Sequence, residues 1–373
     1  MGRVSYSLIL LILFNRCITP VEFESSGLSG QLVVEGRITN LEPPYQVNLS
    51  RSMDLNKDTV KLVPETDAVV ILFDNQGNTE ALIETDPGKY ETSGYLQGTV
   101  GRSYYIYIET QDGAVYTSQP EVLQPVGRIT NLKYQFEGRT KLVDYGEVNA
   151  DVFNVYVDAD GGAMDAPLIR WKMTGLFKVE TYPALHEIIN PPYDPLKDPL
   201  PCSGYIVDGG PIFSGGVLKR VGPCTCCICW VSQYEDLPQL SDQYSVSNNQ
   251  YQNVKVGEIP ITNYTFFEKY RVEVEQMTLS PVAFDFFKSI RSQKIGAADL
   301  FQPQVGGLLG NIIAEDPSDP VIGLFYAAAV HKASTYIFRS EVPYELTPIT
   351  FITDACDQAY QFSSSEKPEE WIN

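Results

Sequence analysis

SYYIYIETQDGAVYTS, residues 103 to 118, reads as strand, turn and strand. Aromatic and β-branched residues fill both arms, and Asp112-Gly113 between them is a hairpin signal. Working outward, similar short runs precede it: LVVEGRI (32–38), YQVNLS (45–50), AVVILFD (68–74), TEALIE (79–84) and GKYET (88–92). Asn75-Gln76-Gly77 turns the third into the fourth. Short strands at this spacing, broken by Gly, Pro, Asn and Asp, predict an immunoglobulin- or transthyretin-like β-sandwich over residues 31–125. Gln124-Pro125-Val126 reads as its exit.

Residues 126–373 read as a larger β-rich second domain. NADVFNVYVDADGG (149–162) and PLIRWKMTGLFKVETY (167–182) suggest a hairpin with an acidic turn. Asp158, Asp160 and Gly161 have the start of a calcium loop, but Ile169 stands where its bidentate glutamate belongs, which leaves a turn. Residues 183–250 are rich in Pro, Gly, Asp and Asn and predict an irregular insertion. EKYRVEVEQMTLS (268–280) alternates as a strand. Ser280-Pro281 then opens one amphipathic helix, with Ala283, Phe286, Phe287 and Ile290 on its packing face. PVIGLFYAAAVHKASTYIFR (320–339) predicts a buried strand, a short break and a further strand. GRITNL occurs at 36–41 and 127–132, but the neighbouring residues do not align. Each copy is therefore expected to start a domain's first strand, without a tandem repeat.

GPCTCCICW (222–230) crowds Cys224, Cys226, Cys227 and Cys229 together, and the N-terminus decides their chemistry. Arg3 precedes a short apolar run, Leu8 to Phe14, about half the ~20 residues a membrane helix needs. It predicts a secretory signal over residues 1–16. Cys17 directly behind it is the expected site of lipid attachment. Residues 17–30 then form a polar tether, able at ~3.3 Å per residue to reach ~40 Å. An exported chain oxidises its thiols. Cys202, the four clustered cysteines and Cys356 make an even six, for which 15 connectivities exist. Close neighbours in an extended chain bond poorly. The favoured pairings give Cys202 and Cys356 one cluster member each. Zinc would call for two separated C-x-x-C pairs, and the spacing C-x-C-C-x-C lacks a second half. Disulfides, no metal and no cofactor are expected.

The net charge of −20 becomes −22 without residues 1–16, which hold Arg3 and Arg16 and no acid. Such a surface repels nucleic-acid phosphates and anionic lipid. The two histidines, His186 and His331, have no ligand or nucleophile partner in sequence, and no hydrolase elbow, phosphate loop or dinucleotide fingerprint occurs. No enzyme is expected. Among 23 tyrosines, Tyr105 and Tyr107 lie in an alternating strand and suit either sandwich packing or a contact surface for a partner or a sugar. Tyr193, Tyr205, Phe213 and Trp230 lie in the insertion and are the candidate partner-binding residues, because loops on a rigid scaffold carry recognition. Trp230 equally suits a cap on the second core.

LVVEGRIT (32–39), VGRSYYIYIETQDGAVYTS (100–118), CW (229–230), YRVEVEQMTLS (270–280), LFQPQVGGLLGNI (300–312) and DPVIGLFYAAAV (319–330) together give the chain a family likeness. It resembles surface lipoproteins of Bacteroidota grouped as a domain of unknown function and often encoded beside TonB-dependent receptors. ITDACDQ (352–358) departs from the family, since Asp357 and Gln358 stand where a second cysteine typically follows. The resemblance implies a non-catalytic lipoprotein anchored at the outer membrane and exposed at the cell surface. Its implied partner is a large β-barrel, a SusC-like TonB-dependent transporter or another such assembly with its associated lipoproteins. A free-standing adhesin or glycan-binding module is the alternative, and a hydrolase without a recognisable motif the third.

Overall fold

Along Leu32–Thr39, Leu32, Val34 and Ile38 are buried, and along Ser103–Glu109 Tyr104, Ile106 and Ile108 are. That period of two gives each strand one apolar face, and the faces close on each other as two stacked sheets. The computed structural model describes residues 30–52, 62–144, 146–188, 196–209, 217–244, 246, 248–297, 310–319, 321–346 and 351–372. It is mostly β, as the sequence predicts.

The first sheet of the N-terminal sandwich runs Val321–Ala328, Leu32–Thr39, Gln46–Arg51, Lys89–Glu91, Ile83–Asp86, with Val63–Pro64 beside Gln46–Arg51. The second runs Ile312–Ala314, Val115–Ser118, Ser103–Glu109, Val69–Asp74, Thr79–Ala81, with Glu121–Val122 beside Ser103–Glu109. The expected strands are present, but the expected boundary near residue 125 is not where the sandwich ends. Val321–Ala328 returns to lie parallel to Leu32–Thr39, from Leu32↔Val321 to Thr39↔Ala328. Its unbroken apolar sequence follows from burial on both faces. Phe325 and Ala327 enter the sandwich core, while Leu324, Tyr326 and Ala328 pack with Met277, Leu279 and the helix residues Ala283 and Phe284. Gly323 permits the approach: its φ is +144°, and a Cβ there would meet the Val34 carbonyl oxygen at 2.0 Å.

The second unit is another pair of stacked sheets. Ile129–Glu137, Val152–Asp160 and Gln250–Pro260 form one; Val330–Phe338, Lys269–Thr278, Ile169–Glu180, Ile228–Tyr234 and Ser363–Ser364 form the other. The expected hairpin between 149–162 and 167–182 is corrected here. Val152–Asp160 and Ile169–Glu180 belong to different sheets, and Val155 and Val157 share a core with Trp171 and Met173. The link through Gly161-Gly162 and Pro167 carries the chain from one layer to the other. The helix Pro281–Ala297 starts as predicted, with the Ala283 N–H donating to Ser280 Oγ at 3.2 Å. Phe284, rather than Phe286, is its deeply buried aromatic.

The chain passes between the units three times, and the first and last passages touch: Gln124 bridges to Ala328. The first GRITNL copy contains the end of its strand, not the start, and the second does open a strand. Both lie at this joint. Asn40 exchanges two hydrogen bonds with the Val330 backbone, and the Ile129 N–H donates to His331 Nδ1 at 3.2 Å. His331 is thus a joint residue. Arg37, from the sandwich, donates to Glu275 of the second unit at 2.7 Å. Burial opposes the Glu275 charge, but Arg37, Lys172 and Lys332 override it and hold the carboxyl at about 2. Lys172, opposite Glu275 in register, is pushed below the usual lysine value by burial and by Arg37.

Two outcomes follow from this joint. Gly323→Ala should cost about 2 kcal/mol or more in denaturant unfolding, whereas Gly101→Ala, with φ +88° but open space around it, should cost about 1. Equal losses would remove the close-approach account. For Glu275, a folded pKa below the unfolded one stabilises above about 4.5 and loses that contribution as pH falls toward 2. Glu275→Gln should flatten the stability-versus-pH slope between about 4.5 and 2, read by thermal melts across that window.

Candidate functional site

Ile169–Glu180 and Ile228–Tyr234 are adjacent antiparallel strands, with Glu180 opposite Ile228. Everything between them is therefore an excursion from one end of the second unit. The expected insertion ran to residue 250, but its regular part begins at Ile228, where Cys229 and Val231 alternate inward as in any half-buried strand. Nor is the excursion structureless. It holds two short hairpins, Glu187–Ile188 with Leu196–Lys197 and Tyr205–Asp208 with Val217–Arg220, and the 3₁₀ turns Pro183–Leu185 and Pro201–Ser203.

Three disulfides hold its base: Cys202–Cys226, Cys224–Cys227 and Cys229–Cys356. Backbone bonds lock the cluster further, with the Thr225 N–H donating to Cys202, the Cys356 N–H to Cys226 and the Thr181 N–H to Cys227. Cys356, which lacks a cysteine close by in sequence, bonds 127 residues back and fixes the C-terminal segment to the sheet edge. There the single helical turn Cys356–Ala359 and Ser363–Ser364 follow, the latter pairing with Trp230 and Val231. Every clustered sulfur is in a bond, and among the described residues no group of His, Cys, Asp and Glu is arranged to hold a metal.

Of the candidate partner-binding residues, Tyr193 and Phe213 lie outside the described residues, as does Cys17. Tyr205 is half-buried. In its hairpin Tyr205 and Val207 share the inward face with Leu218, while Ile206 and Val217 point outward, 45% and 63% exposed. Trp230 is half-buried as well, across from Lys178 and Ser364, with its indole N–H buried and unpaired. Tyr205 and Trp230 are therefore not an exposed aromatic centre. Among the described residues of the excursion, the exposed large apolar ones are aliphatic: Ile188, Ile206, Val217, Val221 and Ile228. The signal that reveals them is the alternation in YIVD and VLKR, which a reading of the stretch as loop overlooks.

A second projection stands at the same end. Thr140–Val143 and Gly146–Asn149 form a hairpin whose side chains are all exposed, with Leu142 at 78%. Its base is firm: Arg139 bonds Glu137 and Glu258 at 2.8 Å each, and Asp151 takes the Arg139 N–H at 2.8 Å and the Tyr344 hydroxyl at 2.6 Å. Glu137 is held at about 2 by hydrogen bonds from Arg139 and Asn154. A shallow depression of about 900 Å³, lined by Glu268, Phe338, Arg339 and Tyr344 among others, lies at this end too. Gly30 lies at the opposite pole, since Leu32 is the end of its strand remote from the joint.

The remaining candidates are structural. Asp158 accepts from Lys133, Asn131 and the Asn253 N–H, so its carboxylate is already occupied, and these bonds hold it below its usual pKa against burial. His186 bonds the Asp198 carbonyl at 2.9 Å.

A domain of unknown function, DUF4249, matches residues 18–334. No curated protein and no solved structure matches the chain.

The three bonds close loops of very different length, with separations of 24, 3 and 127 residues. Cys229→Ala/Cys356→Ala should cost about 5 kcal/mol and Cys224→Ala/Cys227→Ala about 2, read by denaturant unfolding. Cys229 and Cys356 are each 1% exposed, so mild reductant with an alkylating label should open the other two bonds first. Equal losses, or first labelling at Cys356, would contradict this order.

Proposed function

We propose that this chain, which belongs to the DUF4249 family, is a non-catalytic, lipid-anchored accessory subunit of an outer-membrane β-barrel complex that docks through its stapled excursion. The observation that carries the reading is polarity. A disulfide-held head with outward aliphatic residues stands at one pole, and Gly30 and Leu32 lie at the other. A tether on Cys17 would leave that head free to meet a partner. Ile206 and Val217 on a fixed hairpin favour contact over solvation, since ordering them costs nothing at the moment of binding. The resemblance to lipoproteins encoded beside TonB-dependent receptors supplies the class of partner, a SusC-like barrel or another large outer-membrane assembly. Cargo capture beside that barrel fits the same geometry. The alternative, a free-standing adhesin or glycan-binding module, has its support in the tyrosine-rich strands.

The register makes a clean test. Tyr205 lies opposite Arg220, so residues 206–219 can be replaced by a short Gly-Ser turn that leaves the six disulfide cysteines in place. The shortened protein should be exported and keep its melting midpoint within a few degrees, yet lose co-purification with the barrel in mild detergent. Wild-type yield of the complex would move the interface elsewhere. A wild-type protein that purifies alone and without lipid on Cys17 would favour the adhesin reading.

A further inference from the structure

The N-terminal sandwich turns two unlike faces outward. On the sheet around Leu32–Thr39 the outward positions include Glu35, Gln46, Asn48, Ser50, Lys89 and Glu91, with Val33 and Ile83 as apolar ones among them. On the sheet around Ser103–Glu109 they include Thr79, Ser103, Glu109 and Thr117, but the large ones are chiefly Val69, Ile71, Phe73, Tyr105, Tyr107 and Ile313. Register gathers these six into one field: Phe73 lies opposite Tyr105, Ile71 opposite Tyr107, and Thr117 pairs with both Tyr107 and Ile313. Val69 and Ile313 are 50% and 55% exposed. Their strands need no such outward residues to fold, because Tyr104, Ile106, Ile108 and Tyr116 already fill the core side. An outer face this rich in large apolar side chains, on one sheet of a sandwich whose other sheet is more polar outside, marks an interaction surface.

The charge around this face is predominantly acidic, and the two arginines that reach its rim are matched by acids, Arg102 with Asp74 and Arg51 with Asp112. Residues 69–81, 103–118 and 312–319 contain no Lys or Arg, while Glu109, Asp112, Glu315, Asp316 and Asp319 lie among them. Five strands at ~4.8 Å and about six residues at ~3.3 Å make a field of roughly 20 by 20 Å, about half the ~800 Å² a standard interface takes from each side. The rim must therefore take part, and the rim is acidic.

We propose that this face docks a protein surface with an apolar centre ringed by lysine or arginine. A second copy of this chain would set acidic rim against acidic rim. Anionic lipid and nucleic acid are repelled likewise. A sugar ring stacks on free aromatic faces, and Phe73 and Tyr105 spend theirs on each other, with centroids 4.8 Å apart and planes within 6°. The proposal stands on the sandwich's own residues and holds or fails independently of the stapled excursion.

The test is site-specific photo-crosslinking of the full chain in the cells that make it, with p-benzoylphenylalanine at Thr117 and, as control, at Asn48 on the polar sheet. Position 117 should give one protein adduct and position 48 none, with the cross-linked residue mapping to an apolar surface flanked by Lys or Arg. Ile71→Glu/Tyr107→Glu should cut the adduct at least tenfold at an unchanged melting midpoint. Should that variant not fold, Glu315→Lys, an exposed rim change, should cut it at least threefold. An adduct with a second copy, with lipid or with glycan overturns the proposal. So does an equal yield from position 48, an acidic or uncharged contact surface, or an adduct indifferent to Glu315→Lys.

Discussion

Burial of one strand on both of its faces is the constraint on which the rest of the structure depends. Val321–Ala328 gives Phe325 to the sandwich core and Leu324 and Tyr326 to the packing beneath the helix, each side chain contributing about 2 kcal/mol of burial. One residue later the chain is already a strand of the second unit, since Val330–Phe338 pairs with Lys269–Thr278. The two units therefore share a strand run rather than meeting through a linker. Arg37, Asn40 and His331 then fix the angle at which that run passes from one to the other.

Much of this was legible because alternation is local. Leu32–Thr39, Val69–Asp74 and Ser103–Glu109 carry their own period of two, and Ser280-Pro281 announces the helix. What the sequence hid is non-local. Nothing in VIGLFYAAAV says that its parallel partner lies nearly three hundred residues earlier, although its lack of alternation does say that neither face meets water. The layer change between Val152–Asp160 and Ile169–Glu180 was equally hidden, because a hairpin and a crossover look alike when both strands are apolar. At the stapled head the cysteine content was plain, but the orientation of Tyr205 and Ile206 turns on a hairpin four residues long. A one-residue error there exchanges the buried set for the exposed one.

Charge is distributed with the same division. Many cations of the second unit are paired within the chain, Arg139 with Glu137 and Glu258, Arg271 and Lys332 with Glu273, and Arg291 with Asp242. Pairing of this kind leaves the chain's excess of acid to the solvent-facing surface, and it is the surface, not the core, that a partner must satisfy.

The parallel pairing of Leu32–Thr39 with Val321–Ala328 also has a consequence for biogenesis. Synthesis from the N-terminus delivers the opening strand of the sandwich long before the strand that pairs with it. Until residue 328 arrives, one edge of that sheet has open backbone donors and acceptors, and the Phe325 site in its core is unfilled. Such high contact order makes completion slow and the waiting intermediate prone to aggregation. Keeping that strand edge unpaired until residue 328 is in place is thus a demand that the topology itself makes on the folding of this chain.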